Sequence, residues 1–491
     1  MGNVWLTIEE TGTRFCVPVG VSLKQALEKA GLAIDAPCGG NGLCGKCRVL
    51  VNGRPQLACR TILTQDALIS LPPRRETQIL NVGRTLPLWT DGRSGALAFD
   101  LGTTTIAACL LDGQTGRVLA RAGLLNPQTA YGADVISRLQ FAQEYGAVPL
   151  CDAAWDALRA LTAEVTRLAG FPAECIDTVC LVGNPAMHHL LLGYPITPLL
   201  TPPYMPAQRQ AVIRTGIAQL PVHPDAELRV LPNIAGFVGA DTVACLLAAD
   251  LDACHAPTLL LDIGTNGEMV LCCGARRVAC STAAGPAFEG ARISCGMRGT
   301  AGAIDRVWLE QGKLRFHTIG ETPPVGLCGS GLLDLAAALL DAGILEQSGR
   351  LTCGDAFPIP GTSFSLTQKD VRELQLAKAA IRAGVTLLCA HMGIAPGQIE
   401  RVELAGAFGN YLDPVSACRI GLLPPMLLPR IHAIGNAAAV GAARCALSRA
   451  EFARSTRLAE ETEFLELASR PDFQDCYVDA LQFGEEDAKW P

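Results

Sequence analysis

The 491-residue sequence predicts a multidomain α/β protein, and three observations support this prediction. Hydrophobic residues make up 49% of the chain and charged residues 18%, a balance that supports buried cores and excludes a largely disordered chain. From about residue 96 to residue 445, apolar strands that end in glycine turns alternate with long helices rich in alanine and leucine, a pattern typical of layered α/β folds. Residues 96–112 and 258–274 also share one pattern, an apolar strand, Asp-x-Gly-Thr and a second strand, which predicts two related halves.

Residues 1–75 predict a small β-rich module ahead of these halves. The segments VWLTI and TRFCVPV alternate like the two strands of a hairpin, and SLKQALEKAG predicts a short helix that Ser22 caps and Gly31 ends. A cysteine loop follows, and then the strand CRVLVNG and the segment ALISLP. Strand, strand, helix, loop and strand in this order indicate a β-grasp ferredoxin domain.

The cysteines of this module have the spacing Cys-x5-Cys-x2-Cys-x11-Cys, formed by Cys38, Cys44, Cys47 and Cys59. The glycines between the first three let the chain wrap tightly and bring backbone N–H groups toward the sulfurs. Zinc is the main alternative, since Cys-x2-Cys also suits zinc, but zinc sites usually pair two short spacings. The spacing therefore predicts a plant-type [2Fe–2S] cluster held by these four cysteines.

The two Asp-x-Gly-Thr hairpins predict a nucleotide site. Such a bend presents backbone amides and hydroxyls to phosphate oxygens, and its aspartate can hold Mg²⁺, often through water. One copy alone is compatible with an ordinary β-hairpin, whereas two copies on matching strands predict nucleotide phosphates in a cleft between the halves. Asp100 and Asp262 are the catalytic candidates, and it stays open which aligns Mg²⁺ and which orients water. The predicted phosphate contacts are Gly102, Thr103, Thr104, Thr105, Gly264, Thr265 and Asn266.

Further glycine-rich segments complete the predicted cleft. Residues 401–412 are a strand that runs into Gly406 and Gly409, where an adenosine-binding loop would lie. Residues 326–340 read as a loop feeding a helix at Gly329 and Ser330, either an anion or nucleotide site or simply close packing and capping. Within the glycine-dense run of residues 281–305, two polar side chains stand out in an otherwise apolar loop, those of Glu289 and Arg292.

The hairpins, residues 181–193, residues 401–412 and residues 434–444 together resemble the phosphate, connecting and adenosine motifs of the actin-like ATPase superfamily. The resemblance implies two RNase H-like halves that close over ATP and Mg²⁺. The predicted domains are the ferredoxin domain at 1–75, a linker at 76–95, the first half at 96–205, the second half with the nucleotide site at 206–450, and an acidic helical tail at 451–491.

A ferredoxin module fused to an actin-like ATPase is similar to the reductive activators of corrinoid-dependent methyltransferase systems. The resemblance covers nearly the whole chain and rests on the cysteine loop and on DLGTTT, DIGTNGE, AAGPAFEG, GLCGSGLLD, ELAGAFGNYL and IGNAAAVGAA. It implies an ATP-hydrolysing enzyme that reduces cob(II)alamin of a partner corrinoid protein to cob(I)alamin with an electron from the cluster, while ATP drives a conformational change. It also implies a low-potential reductant protein as electron donor, and it suggests a homodimer.

Two other functions stay open at this point, a redox-regulated ATP-binding sensor or clamp and an iron–sulfur-fused small-molecule kinase. The net charge of −7 argues against nucleic-acid binding. No secretory signal and no long apolar run is evident, and 21 cysteines suit reducing conditions, so we expect a cytoplasmic protein without a membrane span. Adjacent His188 and His189 diverge on a helix and make a poor metal pair, so we expect them to be bystanders rather than cobalt ligands.

Overall fold

The computed structural model of the protein describes residues 2–9, 11–30, 32, 34, 47–71, 89–252 and 254–484. Cys38, Cys44 and most of the predicted linker of residues 76–95 lie outside the described residues. The described part forms a small N-terminal module followed by two six-stranded sheets with their helices and two minor sheets. None of its helices combines the length and the apolar character needed to cross a membrane.

The N-terminal module is a five-stranded sheet with one helix packed on it. Its elements are β1 (Asn3–Ile8), β2 (Arg14–Pro18), α1 (Leu23–Lys29), β3 (Arg48–Val51), β4 (Arg54–Leu57) and β5 (Ala67–Ser70). The strand order is β2-β1-β5-β3-β4, and β1 pairs in parallel with β5. Ser22 caps α1 by accepting a hydrogen bond from the N–H of Gln25, and Leu23, Ala26 and Leu27 are buried in the module's core. This is the β-grasp arrangement that the sequence predicts.

The first large sheet has the strand order β10-β11-β9-β6-β7-β8. Its strands and helices are β6 (Gly95–Leu101), β7 (Thr105–Asp112), β8 (Val118–Leu125), α2 (Val135–Tyr145), α3 (Val148–Ala169), β9 (Ile176–Gly183), α4 (Pro185–Leu192), α5 (Thr197–Leu200), β10 (Val212–Thr215), β11 (Glu227–Val230) and α6 (Ala240–Ala248). The sheet runs past residue 205, where the sequence analysis ends the first half. The reason is that β11 is buried along its whole length and pairs in parallel with β9, so it completes this sheet.

The second large sheet has the order β21-β20-β12-β13-β14-β22. The elements of this half are β12 (Cys254–Ile263), β13 (Gly267–Gly274), β14 (Arg276–Thr282), β15 (Ala303–Glu310), β16 (Lys313–Thr318), β17 (Gly326–Leu327), α7 (Gly329–Asp341), β18 (Ala356–Pro358), β19 (Ser365–Thr367), α8 (Gln368–Met392), β20 (Arg401–Ala405), α9 (Gly406–Tyr411), α10 (Pro414–Arg419), β21 (Ile431–Gly435), α11 (Ala437–Leu447), α12 (Arg449–Glu460), β22 (Thr462–Phe464) and α13 (Phe473–Asp479). The predicted tail of residues 451–491 therefore adds a strand, β22, to the edge of the sheet, where it pairs with β14.

The two large sheets share one topology. In the first, the antiparallel strands β6, β7 and β8 are followed by β9 and β11, which pair in parallel on the other side of β6. In the second, β12, β13 and β14 are followed in the same way by β20 and β21. This repeat confirms the two related halves, and it puts the Asp-x-Gly-Thr bends after β6 and β12 at equivalent positions.

Helices α6 and α11 join the two halves through a close contact. A Cβ atom on Gly441 of α11 would lie 2.1 Å from the carbonyl oxygen of Ala244 on α6. Since real Cβ atoms do not approach an oxygen so closely, only glycine allows this separation. The small-residue helix predicted at 434–444 therefore packs tightly between the halves.

A buried arginine on β11 extends this junction. The fully buried Arg229 donates from Nη1 to the carbonyl oxygen of Cys445 at 2.7 Å, at the end of α11, and from Nε to Glu227 at 2.7 Å. Arg449 of α12 donates to the same carboxylate. Burial by itself raises the pKa of Glu227, but the hydrogen bonds from Arg449 and Arg229 outweigh it and lower the pKa to about 2.

We expect Glu227→Gln to lower the free energy of unfolding by about 3 kcal/mol at pH 7, because it removes the carboxylate nearest to the buried Arg229 charge, 2.7 Å away, while the next carboxylate, that of Asp91, lies 3.8 Å away. A carboxyl whose pKa is lowered on folding stabilises the protein at pH values above its unfolded pKa. The difference in the free energy of unfolding between wild type and variant therefore shrinks as pH falls below about 4.5. Urea denaturation at pH 7 and pH 4 measures this. Glu310→Gln removes a charge from an exposed pair with Arg315 and is the control; equal losses in both variants would contradict the prediction.

The N-terminal module touches the first half through α1. The side chain of Lys24 is 7% exposed and pairs with Glu28 at 2.7 Å. Its ammonium group also donates to the carbonyl oxygen of Ala130, which lies on the short 3-10 helix of residues 127–130 after β8, at 3.5 Å. The module is thus in contact with the segment that directly follows Asn126.

Candidate functional site

A cavity of about 330 Å³ lies where the two glycine hairpins face each other across the halves. It brings together every catalytic and nucleotide-contacting residue that the sequence predicts, with the exception of Gly409. The predicted residues in its lining are Asp100, Gly102, Thr103, Thr104, Thr105, Asp262, Gly264, Thr265, Asn266, Gly329, Ser330 and Gly406. Residues far apart in the chain thus form one continuous surface between β6, β12, α7 and α9.

Carboxylates crowd the floor of this cavity. Burial, and next the negative charge of Asp241, raise the pKa of both Asp100 and Asp262 to about 7. Burial also raises the pKa of Asp241 to about 6 and that of Glu268 well above its usual range. Clustered buried carboxylates of this kind are stabilised by a cation.

The donor set fits a hydrated magnesium ion. Among the residues that the structure describes, no three Asp, Glu, His or Cys side chains converge closely enough to bind a metal directly. Mg²⁺ keeps several waters and is usually held by one or two carboxylates together with phosphates. Asp100 and Asp262 therefore suit an ion bound partly through water. Two further carboxylates in the cavity, those of Asp241 and Glu268, are not among the residues predicted from the sequence.

The first phosphate turn is held from behind by residues that the sequence analysis missed. Asn126 donates from its backbone N–H to the carbonyl of Thr104 at 2.9 Å and from Nδ2 to the carbonyl of Gly102 at 2.8 Å. The fully buried Arg138 donates to the carbonyl oxygen of Thr103 at 2.6 Å, and Asn184 donates to the hydroxyl of Thr103 at 3.0 Å. These bonds tie the turn to α2 and to the segments that begin at Asn126 and Asn184.

A sequence signal for two of these residues does exist. Asn126 and Asn184 each precede a proline, and each caps a helical turn by accepting a backbone hydrogen bond. Asparagine at an N-cap followed by proline at the first helical position marks the start of a helix. The signal locates the helix start but not the contact with a turn some 20 to 80 residues away.

Glycine is required beside Asp262. Gly406 has a φ of +80°, and a Cβ there would lie 2.4 Å from Oδ1 of Asp262. Gly409, in contrast, does not line the cavity. A Cβ at that position would meet Leu404 at 3.2 Å, so Gly409 lets α9 pack against β20 rather than bind a ligand.

The start of α7 serves both packing and the cavity. A Cβ on Gly329 would lie 1.8 Å from the carbonyl oxygen of Phe288, so the close approach requires glycine there. Ser330 donates its hydroxyl to the carbonyl of Asp305 at 2.9 Å, which is a structural use of that group. Phe288 and Phe408 stack with ring centroids 5.0 Å apart and form an aromatic wall of the cavity.

One glutamate joins the two hairpins. Oε2 of Glu289 accepts a hydrogen bond from the hydroxyl of Thr104 at 3.0 Å, and Oε1 accepts one from the hydroxyl of Thr265 at 2.5 Å. Glu289 stands out in the sequence as a polar residue in an apolar loop, and the structure places it at the centre of the cleft. Arg292, the other such residue, lies at the surface and faces Glu373 at 4.0 Å.

Two of the four predicted cluster cysteines are described, and they fit a shared metal. The Sγ atoms of Cys47 and Cys59 lie 3.2 Å apart. Two thiolates bound to one tetrahedral metal at about 2.3 Å each would lie about 3.8 Å apart, so a small adjustment lets both bind one iron. Cys38 and Cys44, which would hold the second iron, lie outside the described residues.

The paired histidines belong to a core. His188 is 3% exposed and His189 is fully buried. Burial, with a smaller contribution from His189, lowers the pKa of His188 to about 3, and Nδ1 of His189 lies 2.7 Å from the carbonyl oxygen of Pro185. Neither ring is available at the surface to a partner's cobalt, in line with the expected bystander role.

Comparison with known proteins gives matches over nearly the whole chain. The 2Fe–2S iron–sulfur cluster binding domain matches residues 6–70, the RACo middle region matches residues 95–254, and the C-terminal domain of RACo, the ASKHA domain, matches residues 256–491. The first match corresponds to the N-terminal module, and the two RACo matches correspond to the two large sheets of the fold.

Individual relatives agree with these family matches. Corrinoid activation enzyme RamQ of Eubacterium limosum is 36% identical over 418 residues, which are 79% of this chain and 70% of that protein. The [Co(II) methylated amine-specific corrinoid protein] reductase of Methanosarcina barkeri is 27% identical over 424 residues, 79% of this chain and 76% of that protein. A solved structure titled reductive activator for corrinoid, iron–sulfur protein is 28% identical, covers 99% of both chains and superposes with a TM-score of 0.72.

Proposed function

Since the chain belongs to the family of reductive activators of corrinoid proteins, we propose that it reduces the inactive cob(II)alamin of a partner corrinoid protein to cob(I)alamin in an ATP-dependent reaction. The observation that carries the proposal is the combination, in one chain, of a paired-cysteine ferredoxin module with a two-hairpin cleft rich in carboxylates and hydroxyls. The first part suits one-electron transfer, and the second suits a nucleotide.

The energetics explain why both parts are needed. A plant-type [2Fe–2S] cluster held by Cys38, Cys44, Cys47 and Cys59 would supply one electron at a potential near −400 mV. Cobalt(I) in a corrinoid is harder to reach than this, and each ~59 mV of deficit is a tenfold unfavourable factor for one electron. Nucleotide binding or hydrolysis can offset the deficit by stabilising a conformation of the complex in which the cobalt accepts the electron.

The cleft residues have separate roles in this proposal. The turns at residues 102–105 and 264–266 bind phosphate oxygens through backbone N–H groups and hydroxyls. Of Asp100 and Asp262, one would hold hydrated Mg²⁺ and the other would orient the attacking water. The wall formed by Phe288 and Phe408 excludes water from one side of the nucleotide.

A chain of contacts links the nucleotide cleft to the ferredoxin module. Asn126 holds the first phosphate turn by its backbone and its side chain. The next residues form the short helix whose last carbonyl, that of Ala130, accepts a hydrogen bond from Lys24 of the module. Movement of the turn when phosphate binds would therefore reach the module through five consecutive residues, 126–130.

The test is a reduction assay with a purified corrinoid protein in the cob(II) state and a low-potential reductant. We expect cob(I)alamin to form over many turnovers when ATP and Mg²⁺ are present, and not without nucleotide. Equal formation without ATP would contradict the proposal. A single turnover per protein would favour the sensor or clamp, and a phosphorylated small molecule formed in proportion to ATP consumed would favour the kinase.

The proposal also includes an electron donor and an oligomeric state. We expect a low-potential reductant protein, such as a ferredoxin, to recharge the module, because each activation consumes one electron. We also expect a homodimer. Sedimentation of the full chain, alone and with the reductant protein, measures both associations.

A further inference from the structure

Glu289 occupies a position that the proposed nucleotide needs. Its two carboxylate oxygens accept hydrogen bonds from Thr104 at 3.0 Å and from Thr265 at 2.5 Å. Thr104 belongs to the turn of the first half and Thr265 to the turn of the second. A single side chain thus joins the two turns whose hydroxyls are the predicted phosphate contacts.

The carboxylate of Glu289 and a phosphate group offer the same kind of acceptor to the two threonine hydroxyls. An ionised carboxylate only accepts hydrogen bonds, as the oxygens of a phosphate do, and a hydroxyl has one proton to donate. Thr104 and Thr265 therefore cannot donate to Glu289 and to a phosphate oxygen at once. Arg138, which holds the first turn by donating to the carbonyl of Thr103, responds to the same carboxylate: burial lowers the pKa of Arg138, and the negative charges of Asp134 and Glu289 oppose that change.

We propose that Glu289 is a positioning residue that takes the place of phosphate in the nucleotide-free protein and is displaced when ATP binds. This inference rests on the proposed nucleotide function of the cleft. Glu289 bridges the halves without nucleotide, and the terminal phosphates of ATP bridge them in its place.

Displacement of Glu289 has a direct path into the second half. Its neighbour Phe288 is buried, stacks on Phe408 of α9, and presents its carbonyl oxygen to the start of α7, where only glycine fits. Because Phe288 contacts both helices, a shift of the loop that carries Glu289 would act on α7 and α9. The state of the phosphate site would thereby reach the helices that surround it.

The test is Glu289→Gln, which keeps the shape of the side chain and removes its charge. Hydrogen bonds to a charged acceptor are stronger than those to a neutral amide, so the variant competes less for the two hydroxyls, and AMP-PNP with Mg²⁺ should bind about tenfold more tightly. Adenosine, which lacks phosphates, should bind with unchanged affinity. Isothermal titration of the full chain with each ligand measures both affinities.

The matched control is Glu310→Gln, which removes one exposed negative charge on β15 away from the cavity and should leave both affinities unchanged. Glu289→Ala should also bind AMP-PNP more tightly, and it replaces the glutamine variant if that one does not fold. Unchanged or weaker AMP-PNP binding in the folded variant would overturn the inference, as would equal gains for AMP-PNP and adenosine. Lost ATP hydrolysis with unchanged AMP-PNP affinity would make Glu289 a catalytic residue instead.

The result also separates this inference from the function on which it rests. If wild type binds AMP-PNP and the variant binds it no better, the displacement of Glu289 is wrong and the nucleotide site stands. If wild type itself binds no AMP-PNP, both the nucleotide site and the inference are wrong.

Discussion

Replacing Cys59 by alanine is expected to abolish the [2Fe–2S] absorption spectrum and, with it, the reduction of cob(II)alamin, while AMP-PNP binding is retained. The thiol of Cys59 lies 3.2 Å from that of Cys47, so its loss leaves one of the two irons a ligand short. Loss of a hydrogen-bonding partner of a metal ligand already costs about 10–100-fold in metal affinity or activity, so loss of a ligand should lower the reduction rate at least about 100-fold. Visible absorption and the cob(I)alamin assay measure the two effects.

The control for this prediction comes from the same module. Cys16 is an exposed cysteine on β2, and Cys16→Ala should keep both the spectrum and the reduction rate. Nucleotide binding should survive in both variants, because the cleft lies between the two larger sheets. A normal [2Fe–2S] spectrum in Cys59→Ala would contradict the assignment of the cluster ligands.

Asp262→Asn is expected to lower ATP hydrolysis and ATP-dependent reduction about 100-fold to 1,000-fold and, at the same time, to stabilise the nucleotide-free protein. The loss of activity follows because Asp262 would hold hydrated Mg²⁺ or orient the attacking water, and losing one preorganised group of this kind costs about 100-fold to 1,000-fold in rate. The gain in stability follows because burial, and after it the negative charges of Asp241 and Asp100, raise the pKa of Asp262 to about 7. Asparagine removes that unfavourable charge.

The gain in stability depends on pH in a defined direction. A carboxyl with a pKa near 4 in the unfolded chain and about 7 in the folded one binds more protons when folded, so it destabilises the fold increasingly as pH rises from about 4 to 7. The advantage of Asp262→Asn should therefore be about a third as large at pH 5 as at pH 8. Urea denaturation in EDTA at both pH values measures it.

A matched control is Asp156→Asn, which alters an exposed aspartate on α3 that pairs with Arg159. It should change neither ATP hydrolysis nor the pH dependence of stability. Retained hydrolysis in Asp262→Asn, or a loss of stability at pH 8, would show that Asp262 is not the buried ion-binding carboxylate described above.

Much of the site could be predicted because its parts are contiguous in the chain. A phosphate-binding turn uses backbone N–H groups and hydroxyls of neighbouring residues. The short motifs at residues 102–105 and 264–266 are therefore enough to predict phosphate binding. The same holds for the cysteine spacing. Asp241 carries no such local signal, and only tertiary packing puts its carboxylate beside Asp100 and Asp262. Glu268 differs, because it pairs in register with Asp262 across the second hairpin and so lies next to the turn that the sequence predicts.

The boundary between the two halves is likewise a feature that the sequence predicts only in part. The repeated hairpins predict two halves, but strand pairing decides where one ends. Strands β10 and β11 join the first sheet after residue 205, and β22 joins the second sheet from the predicted tail. Short strands of three or four residues have little periodicity of their own, and their partners come from distant segments.

The sequence by itself determined the cysteine spacing of a [2Fe–2S] module and the two Asp-x-Gly-Thr turns. Each depends on the identity and spacing of neighbouring residues, which act through local backbone geometry. Only the tertiary structure decided that Asn126, Arg138 and Asn184 hold the first turn and that Glu289 joins it to the second. Those contacts form when the sheets pair and the halves meet, and hydrogen bonds across such distances in the chain leave no pattern along it.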